Sequence, residues 1–288
     1  MPPSNDKTRD DKARPAFVRS PAQKFDYTDT ISDPVARSVP VEMPINIVYA
    51  PVPFAVMMAT PQDLEDFAVG FSVTEGIVSS PDDIETLEIV ELDAGIELRM
   101  RLAEPRAGAF AARRRYLAGP TGCGLCGIES LEEAVRPLPA VANDTRFFPR
   151  DIMRATSAIE GLQHINRETR SVHGAAFYRP AEDSVILLED VGRHNALDKL
   201  CGAMLRADIA PQSGFAVVTS RLSIEMIQKA ATVGIPMMVA VSAPTALAVR
   251  AAESCGMTLA AVARADGFEV FTHPQRIREE RSLHVVAG

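Results

Sequence analysis

The sequence predicts an α/β protein, α+β overall: a smaller β-rich N-terminal domain followed by a three-layer αβα domain built on a mixed sheet. Three observations predict it. Up to about residue 102 the apolar residues fall mostly in short runs of strand character, with one clear helix among them. From about residue 185 short apolar runs alternate regularly with amphipathic segments of roughly three turns, as in a parallel or mixed sheet covered by helices. Between the two, Pro137, Pro139 and Pro149 punctuate the chain. The organisation is a disordered tail over 1–30, a β-rich domain over 31–145 and an αβα domain over 146–288.

The tail is polar, charged and without apolar periodicity. Residues 45–49 and 54–58 read as strands. Thr60-Pro61-Gln62-Asp63 then reads as a helix start, with Thr60 as N-cap and Pro61 in the first turn, opening a helix through Leu64, Phe67, Ala68 and Phe71. Two strands follow, over 84–90 and 96–102, around the turn Asp93-Ala94-Gly95. The basic run Arg113-Arg114-Arg115 leads into Gly122-Cys-Gly-Leu-Cys-Gly127, and 128–135 reads as a short helix. Residues 151–160 read as helix, 185–188 as strand, 196–205 as helix and 215–219 as strand. A helix over 224–233 closes at Gly234 and leads to a strand over 236–241. A helix over 246–254 closes at Cys255-Gly256, before a last strand over 258–262.

Composition narrows the function. The chain of 288 residues is 47% apolar and 24% charged, ordinary for a protein with a real core. A net charge of -8 and a pI near 5.3 speak against an extended nucleic-acid surface, while leaving room for a local basic pocket. No apolar run approaches the ~18 residues of a membrane span. The N-terminus lacks the apolar core of a secretory signal, and its acidic residues argue against a transit peptide. Four cysteines in a chain of this size do not make a disulfide scaffold, so the expected setting is the reducing cytoplasm.

Ligands of open α/β sheets collect at the carboxyl ends of strands, where following helices present free N–H groups. Here those loops read Glu189-Asp-Val-Gly-Arg-His-Asn195, Ser220-Arg-Leu-Ser223 and Ser242-Ala-Pro-Thr245. Arg193, His194, Arg221 and Ser223 are the candidate anion-binding residues. Asn195, Ser223 and Thr245 also suit plain N-capping, which would explain them without a ligand; capping does not call for the Gly-Arg-His run. His173 is a weaker candidate. His164, His273 and His284 have no partner pattern, and Cys201 and Cys255 read as packing residues.

The pair Cys123 and Cys126 admits a metal, a redox dithiol or a sulfur carrier. Structural zinc needs four ligands and the chain has no second C-x-x-C, so zinc would require two copies across a dimer. A zinc deaminase needs His-x-Glu upstream, and no histidine precedes Cys123. A thioredoxin-like dithiol opens a long helix, whereas this pair sits among Gly122, Gly124 and Gly127. A mobile loop flanked by arginines favours the thiolate, and a thiolate that attacks a sulfur donor holds sulfane sulfur as a persulfide.

Taken with Glu189–Lys199, Ser220–Ala230, Gly234-Ile-Pro236, Ser242–Thr245, Ala68-Val-Gly70 and Thr74-Glu-Gly-Ile77, the cysteine loop resembles the formate dehydrogenase accessory sulfurtransferase family (FdhD), over about 40–272. The resemblance implies a larger domain similar to the cytidine-deaminase fold, a homodimer, and no metal held directly by the protein. It implies a persulfide sulfur taken from a cysteine desulfurase and passed to the molybdenum bis(molybdopterin guanine dinucleotide) cofactor destined for formate dehydrogenase. Cys123 would carry the persulfide with Cys126 as its neighbour. Val262, Ala263, Arg264, Ala265, Asp266 and Gly267 would contact the cofactor beside the anion pocket. Two departures stand out: Thr169-Arg170-Ser171 replaces the family's Thr-Gly-Gly, and Ala261-Val262 its Gly-Phe. The competing readings are a cofactor-binding chaperone without thiol chemistry and a zinc-bridged interaction dimer.

Overall fold

The computed structural model describes residues 14–25, 31–104, 137–141 and 144–278. Strands β1 (Phe17–Phe25) and β2 (Ile31–Pro40) form an antiparallel ribbon running from the pair Phe17↔Pro40 to Phe25↔Ile31. Composition assigned 1–30 to a disordered tail. Residues 17–25 are instead ordered by this backbone pairing, which needs no apolar period and leaves most side chains exposed.

A four-stranded sheet follows, made of β3 (Met43–Tyr49), β4 (Val52–Ala59), β5 (Ile84–Leu92) and β6 (Gly95–Leu102) in the order β4-β3-β6-β5. β3 and β6 are parallel and the outer pairs antiparallel. Alternation turns Ile45, Ile47, Ile96, Leu98 and Met100 inward, all essentially fully buried. Helix α1 (Leu64–Thr74) lays Phe67, Ala68 and Phe71 on that face. The predicted N-cap was Thr60, but α1 starts at Leu64 behind a left-handed Asp63 (φ 52°). Thr60 is spent elsewhere, as described below.

The second sheet has six strands. Its elements in chain order are α2 (Pro149–Leu162), α3 (His164–Thr169), β7 (His173–Arg179), β8 (Ser184–Asp190), α4 (Arg193–Arg206), β9 (Phe215–Val218), α5 (Ile224–Val233), β10 (Met237–Ala240), α6 (Ala246–Cys255), β11 (Thr258–Arg264) and β12 (Gly267–Thr272). Strand order is β12-β11-β10-β9-β7-β8, with β9, β10 and β11 parallel and the remaining pairs antiparallel. Period-two alternation divides these strands between two cores. Ala216, Val218, Met238, Ala240, Leu259 and Ala261 pack with α4, α5 and α6. Phe215, Val217, Met237, Val239, Ala260 and Ala263 pack on the other face with Ile152, Ala155 and Ile159 of α2. Helices therefore cover both faces, and the predicted mixed α/β architecture is present.

Cys201 and Cys255 are buried free thiols in the first of these cores, and burial pushes both thiol pKa values up. The two sheets meet through the helix pair α1 and α4. At their crossing, Gly70 and Gly202 let the backbones touch: a Cβ on Gly70 would lie 1.8 Å from the Asp198 carbonyl oxygen, and one on Gly202 1.8 Å from that of Asp66. Only glycine fits there.

Candidate functional site

β8 runs antiparallel to β7, and β7 antiparallel to β9, so β8 points the same way as the parallel trio β9, β10 and β11. Their carboxyl ends share one sheet edge, four strand steps of about 4.8 Å long between β8 and β11, or roughly 19 Å. That edge collects the site residues predicted in the described chain. Arg193 and His194 open α4, while Arg221 and Ser223 lie between β9 and α5. Val262, Ala263 and Arg264 end β11, Ala265 and Asp266 make the turn, and Gly267 opens β12. His173, at the start of β7 and paired with Asp190, lies on the same edge. Cys123, Cys126 and the helix expected over 128–135 lie outside the described residues.

The loops are tied to one another. Leu222 bridges Pro244, and the Thr245 N–H donates to the Leu222 carbonyl at 2.9 Å. The Val262 N–H donates to Ser242 O at 3.2 Å, and the Arg264 guanidinium donates to the Val241 and Ala263 carbonyls. Val262 holds this position with φ 53°, a left-handed conformation that is costly for a β-branched residue.

The Glu-Asp-Val-Gly-Arg-His-Asn run divides into scaffold and site. Asp190 is fully buried and accepts from the N–H of Thr60 (2.9 Å) and Gly192 (2.8 Å) and from Asn195 Nδ2 (3.0 Å). It pairs with Lys199 Nζ at 2.7 Å, which also donates to the carbonyls of Thr60 (2.9 Å) and Glu189 (3.3 Å). Thr60 Oγ1 accepts from the Val191 N–H at 3.1 Å, and Asn195 Nδ2 donates to Met58 O at 2.9 Å. Glu189 accepts the Ile165 and Asn166 N–H groups at 2.8 and 2.9 Å. Asn195 is thus not the predicted cap. It sits in the first turn of α4 behind Gly192, because its amide is used to lock the turn to β4. With Glu189, Asp190 and Asn195 committed to structure, the turn leaves Arg193 and His194 to face the edge.

A second buried network lies behind them. Asp198 accepts from Thr74 Oγ1 (2.6 Å) and from Lys229 Nζ (2.9 Å to each oxygen), and Lys229 also pairs with Glu75 at 2.6 Å. Burial pulls the Lys229 ammonium down, but the two carboxylates outweigh it and hold it charged, above its ordinary pKa. His194 feels that charge. Burial first, then Arg193 and Lys229, lower its pKa to about 4 against the opposing pull of Glu225 and Glu75, so the ring is neutral near pH 7. His173 is likewise lowered by burial and then by Arg193.

Four polar atoms in this neighbourhood are shielded from solvent yet have no hydrogen-bond partner among the described residues: Arg193 Nε, His194 Nε2, Ser223 Oγ and Glu225 Oε2. Buried polar atoms in native proteins are nearly always paired, so each of these four calls for a partner, whether a water, an ion or a ligand. The capping alternative is thereby resolved residue by residue. Thr245 is a real cap, accepting from Ala248 N at 3.2 Å, whereas the hydroxyl of Ser223 caps nothing although it stands at the N-cap position of α5. Glu225 was not singled out from sequence; an acid in the first turn of a helix reads as a simple complement to the helix dipole. Among the described residues no cluster of three or more His, Cys, Asp or Glu side chains is placed to hold a metal ion, and no helix is long and apolar enough to cross a membrane.

The surroundings of this edge can be compared with known proteins. Residues 40–278 match the sequence profile described as the FdhD/NarQ family. A protein of Agrobacterium fabrum named "Sulfur carrier protein FdhD" is 51% identical over 242 residues, covering 84% of this chain and 89% of its own. Proteins of the same name from Brucella abortus (49% over 245 residues; 85% and 91% of the two chains) and Xanthomonas euvesicatoria (46% over 248 residues; 86% and 87%) are similar too. In three dimensions the fold is similar to that of a crystal structure described as a formate dehydrogenase accessory protein from Desulfotalea psychrophila. The TM-score is 0.71 at 23% identity, covering 92% of this chain and all of the other. With most of its length matched, and the matched span containing both the cysteine loop and the sheet-edge residues, the chain belongs to the FdhD/NarQ family.

Proposed function

We propose that this protein is a cytoplasmic sulfurtransferase: it takes persulfide sulfur from a cysteine desulfurase and transfers it to a molybdenum bis(molybdopterin guanine dinucleotide) cofactor required by formate dehydrogenase. The sulfur half of the reading is supported by the name its relatives carry and by the Cys123/Cys126 loop. In the loading step the Cys123 thiolate attacks the outer sulfur of the desulfurase persulfide. The donor's S–S bond breaks, a new S–S bond forms on Cys123, and the electron pair leaves with the desulfurase thiolate. Cys126 is the neighbouring thiol available for relay or release.

The observation that carries the cofactor half is the group of unpaired polar atoms, Arg193 Nε, His194 Nε2 and Ser223 Oγ, at a sheet edge. A guanidinium, a neutral imidazole, a hydroxyl and the N-termini of α4 and α5 suit the phosphates of a dinucleotide. An edge of roughly 19 Å leaves room for both an α4/α5 pocket and the Val262–Gly267 turn to touch one extended cofactor. In the cell the protein would act as a homodimer.

Intact-protein mass spectrometry tests the reading. After incubation with a working cysteine desulfurase and cysteine, the wild-type chain should gain one or more reducible sulfur atoms, and Cys123→Ala should gain none. Folded protein that gains no sulfur, with Cys123→Ala still supporting formate dehydrogenase, would replace the sulfurtransferase with a cofactor-carrying chaperone.

A further inference from the structure

The carboxylates around the pocket are not equivalent. Glu189 is satisfied by two backbone N–H groups, and Asp190 by two N–H groups, an amide and Lys199. Asp198 is satisfied by Thr74 and Lys229, and Glu75 is paired with Lys229. Glu225 alone among these five keeps a shielded oxygen with no donor among the described residues. It stands two residues after Ser223 in the first turn of α5, close enough to His194 to oppose the lowering of its pKa. A pocket made only for phosphate would exclude such a group, since an unpaired carboxylate repels the anion that Arg193 and Ser223 attract. The combination suits a ligand that is anionic at one end and carries hydrogen-bond donors at the other.

On the reading of this edge as a dinucleotide site, we propose that Glu225 is a specificity residue that reads the donor edge of guanine. An ionised carboxylate only accepts, and its two oxygens match the adjacent N1–H and exocyclic N2–H groups of that base. Adenine offers an acceptor at N1 and no amine at position 2, so it would leave Glu225 shielded and unpaired. A site built around a polar group rejects a ligand that fails to pair it far more strongly than an apolar pocket rejects a misfit. Ribose hydroxyls are the other donors a nucleotide can offer, and the probes below separate the two.

The test is equilibrium binding of GDP, 2′-deoxy-GDP, ADP and xanthosine diphosphate to the full-length chain and to Glu225→Gln. Wild type is expected to bind GDP and 2′-deoxy-GDP alike and ADP about 10- to 100-fold more weakly, the range for losing hydrogen bonds to a charged group. In Glu225→Gln the amide accepts from N1–H but presents its own N–H to position 2. Affinity for GDP should fall by about the same factor while that for xanthosine diphosphate, with a carbonyl at position 2, should rise. A gain of binding excludes misfolding as the explanation. If GDP binds tightly and Glu225→Gln leaves the order of the four nucleotides unchanged, Glu225 does not read the base. If 2′-deoxy-GDP alone loses affinity, the carboxylate reads the ribose. If no nucleotide binds the wild-type chain, the dinucleotide reading of the edge itself falls.

Discussion

Replacing Gly202 with alanine tests how tightly the two sheets are joined. The new Cβ would sit 1.8 Å from the Asp66 carbonyl oxygen and 2.9 Å from the Gly70 nitrogen, both backbone atoms that no rotamer change can move. Reaching even a 3.0 Å contact requires α1 and α4 to part by 1.2 Å, the difference between 3.0 and 1.8. That shift is enough to carry the 2.6 Å bond between Thr74 and Asp198 out of hydrogen-bonding range. Overpacking costs about 1–3 kcal/mol and losing the Thr74 hydrogen bond to the charged Asp198 about 1.5–3 more, offset by about 1 for the better helix former. The expected net loss is roughly 1.5–5 kcal/mol, read as a lower urea midpoint with an unchanged slope. Gly161→Ala in α2 is the control. Its Cβ would meet nothing within 4 Å, so the same chemical change should stabilise by about 0.5–1 kcal/mol. A Gly202→Ala midpoint at or above wild type would refute the rigid crossing.

Two further outcomes follow from single residues. His194 titrates near 4 in the folded chain against 6.5 unfolded, so its contribution is complete above pH 6.5 and is lost as pH falls toward 4. After allowance for a partly exposed ring this amounts to on the order of 1–3 kcal/mol, and His194→Gln should flatten that limb of a Tm-against-pH profile; an unaltered limb would place the acid sensitivity elsewhere. Arg170 caps the C-terminus of α3 with φ 54°, a left-handed conformation that glycine adopts without strain, so Arg170→Gly should raise stability by about 1 kcal/mol, and a fall in Tm would show that the arginine side chain contributes more than its backbone strain costs.

Local pattern was enough to find the elements whose signals are local. The helix over 224–233 has the expected bounds, closed by a left-handed Gly234, and the Gly256 stop of α6 behaves the same way. What local pattern missed depends on distant partners. Thr60 and Asn195 look like caps because their side chains suit capping, yet the real partners of those side chains lie 131 and 137 residues away. β1 has no apolar period and is defined by pairing with β2. At the sheet edge, Arg193, His194, Arg221 and Ser223 were legible because cations and hydroxyls follow strands there without a structural need. Glu225 was not, since only knowing which other carboxylates are satisfied makes an unpaired one visible.

The shared charges also say how the molecule comes apart. Thr60, Thr74 and Glu75 belong to the segment of the first sheet, while Asp190, Asp198, Lys199 and Lys229 belong to the second. Neither segment can melt alone without breaking the Lys229–Glu75 pair and the buried hydrogen bonds that Thr60 and Thr74 make across the seam, at about 1–3 kcal/mol for each bond to a charged group. These ties, with the close α1–α4 crossing, couple the stability of the two sheets to one another. A seam packed this closely leaves no slack for one sheet to slide on the other, since α1 and α4 already touch backbone to backbone at Gly70 and Gly202.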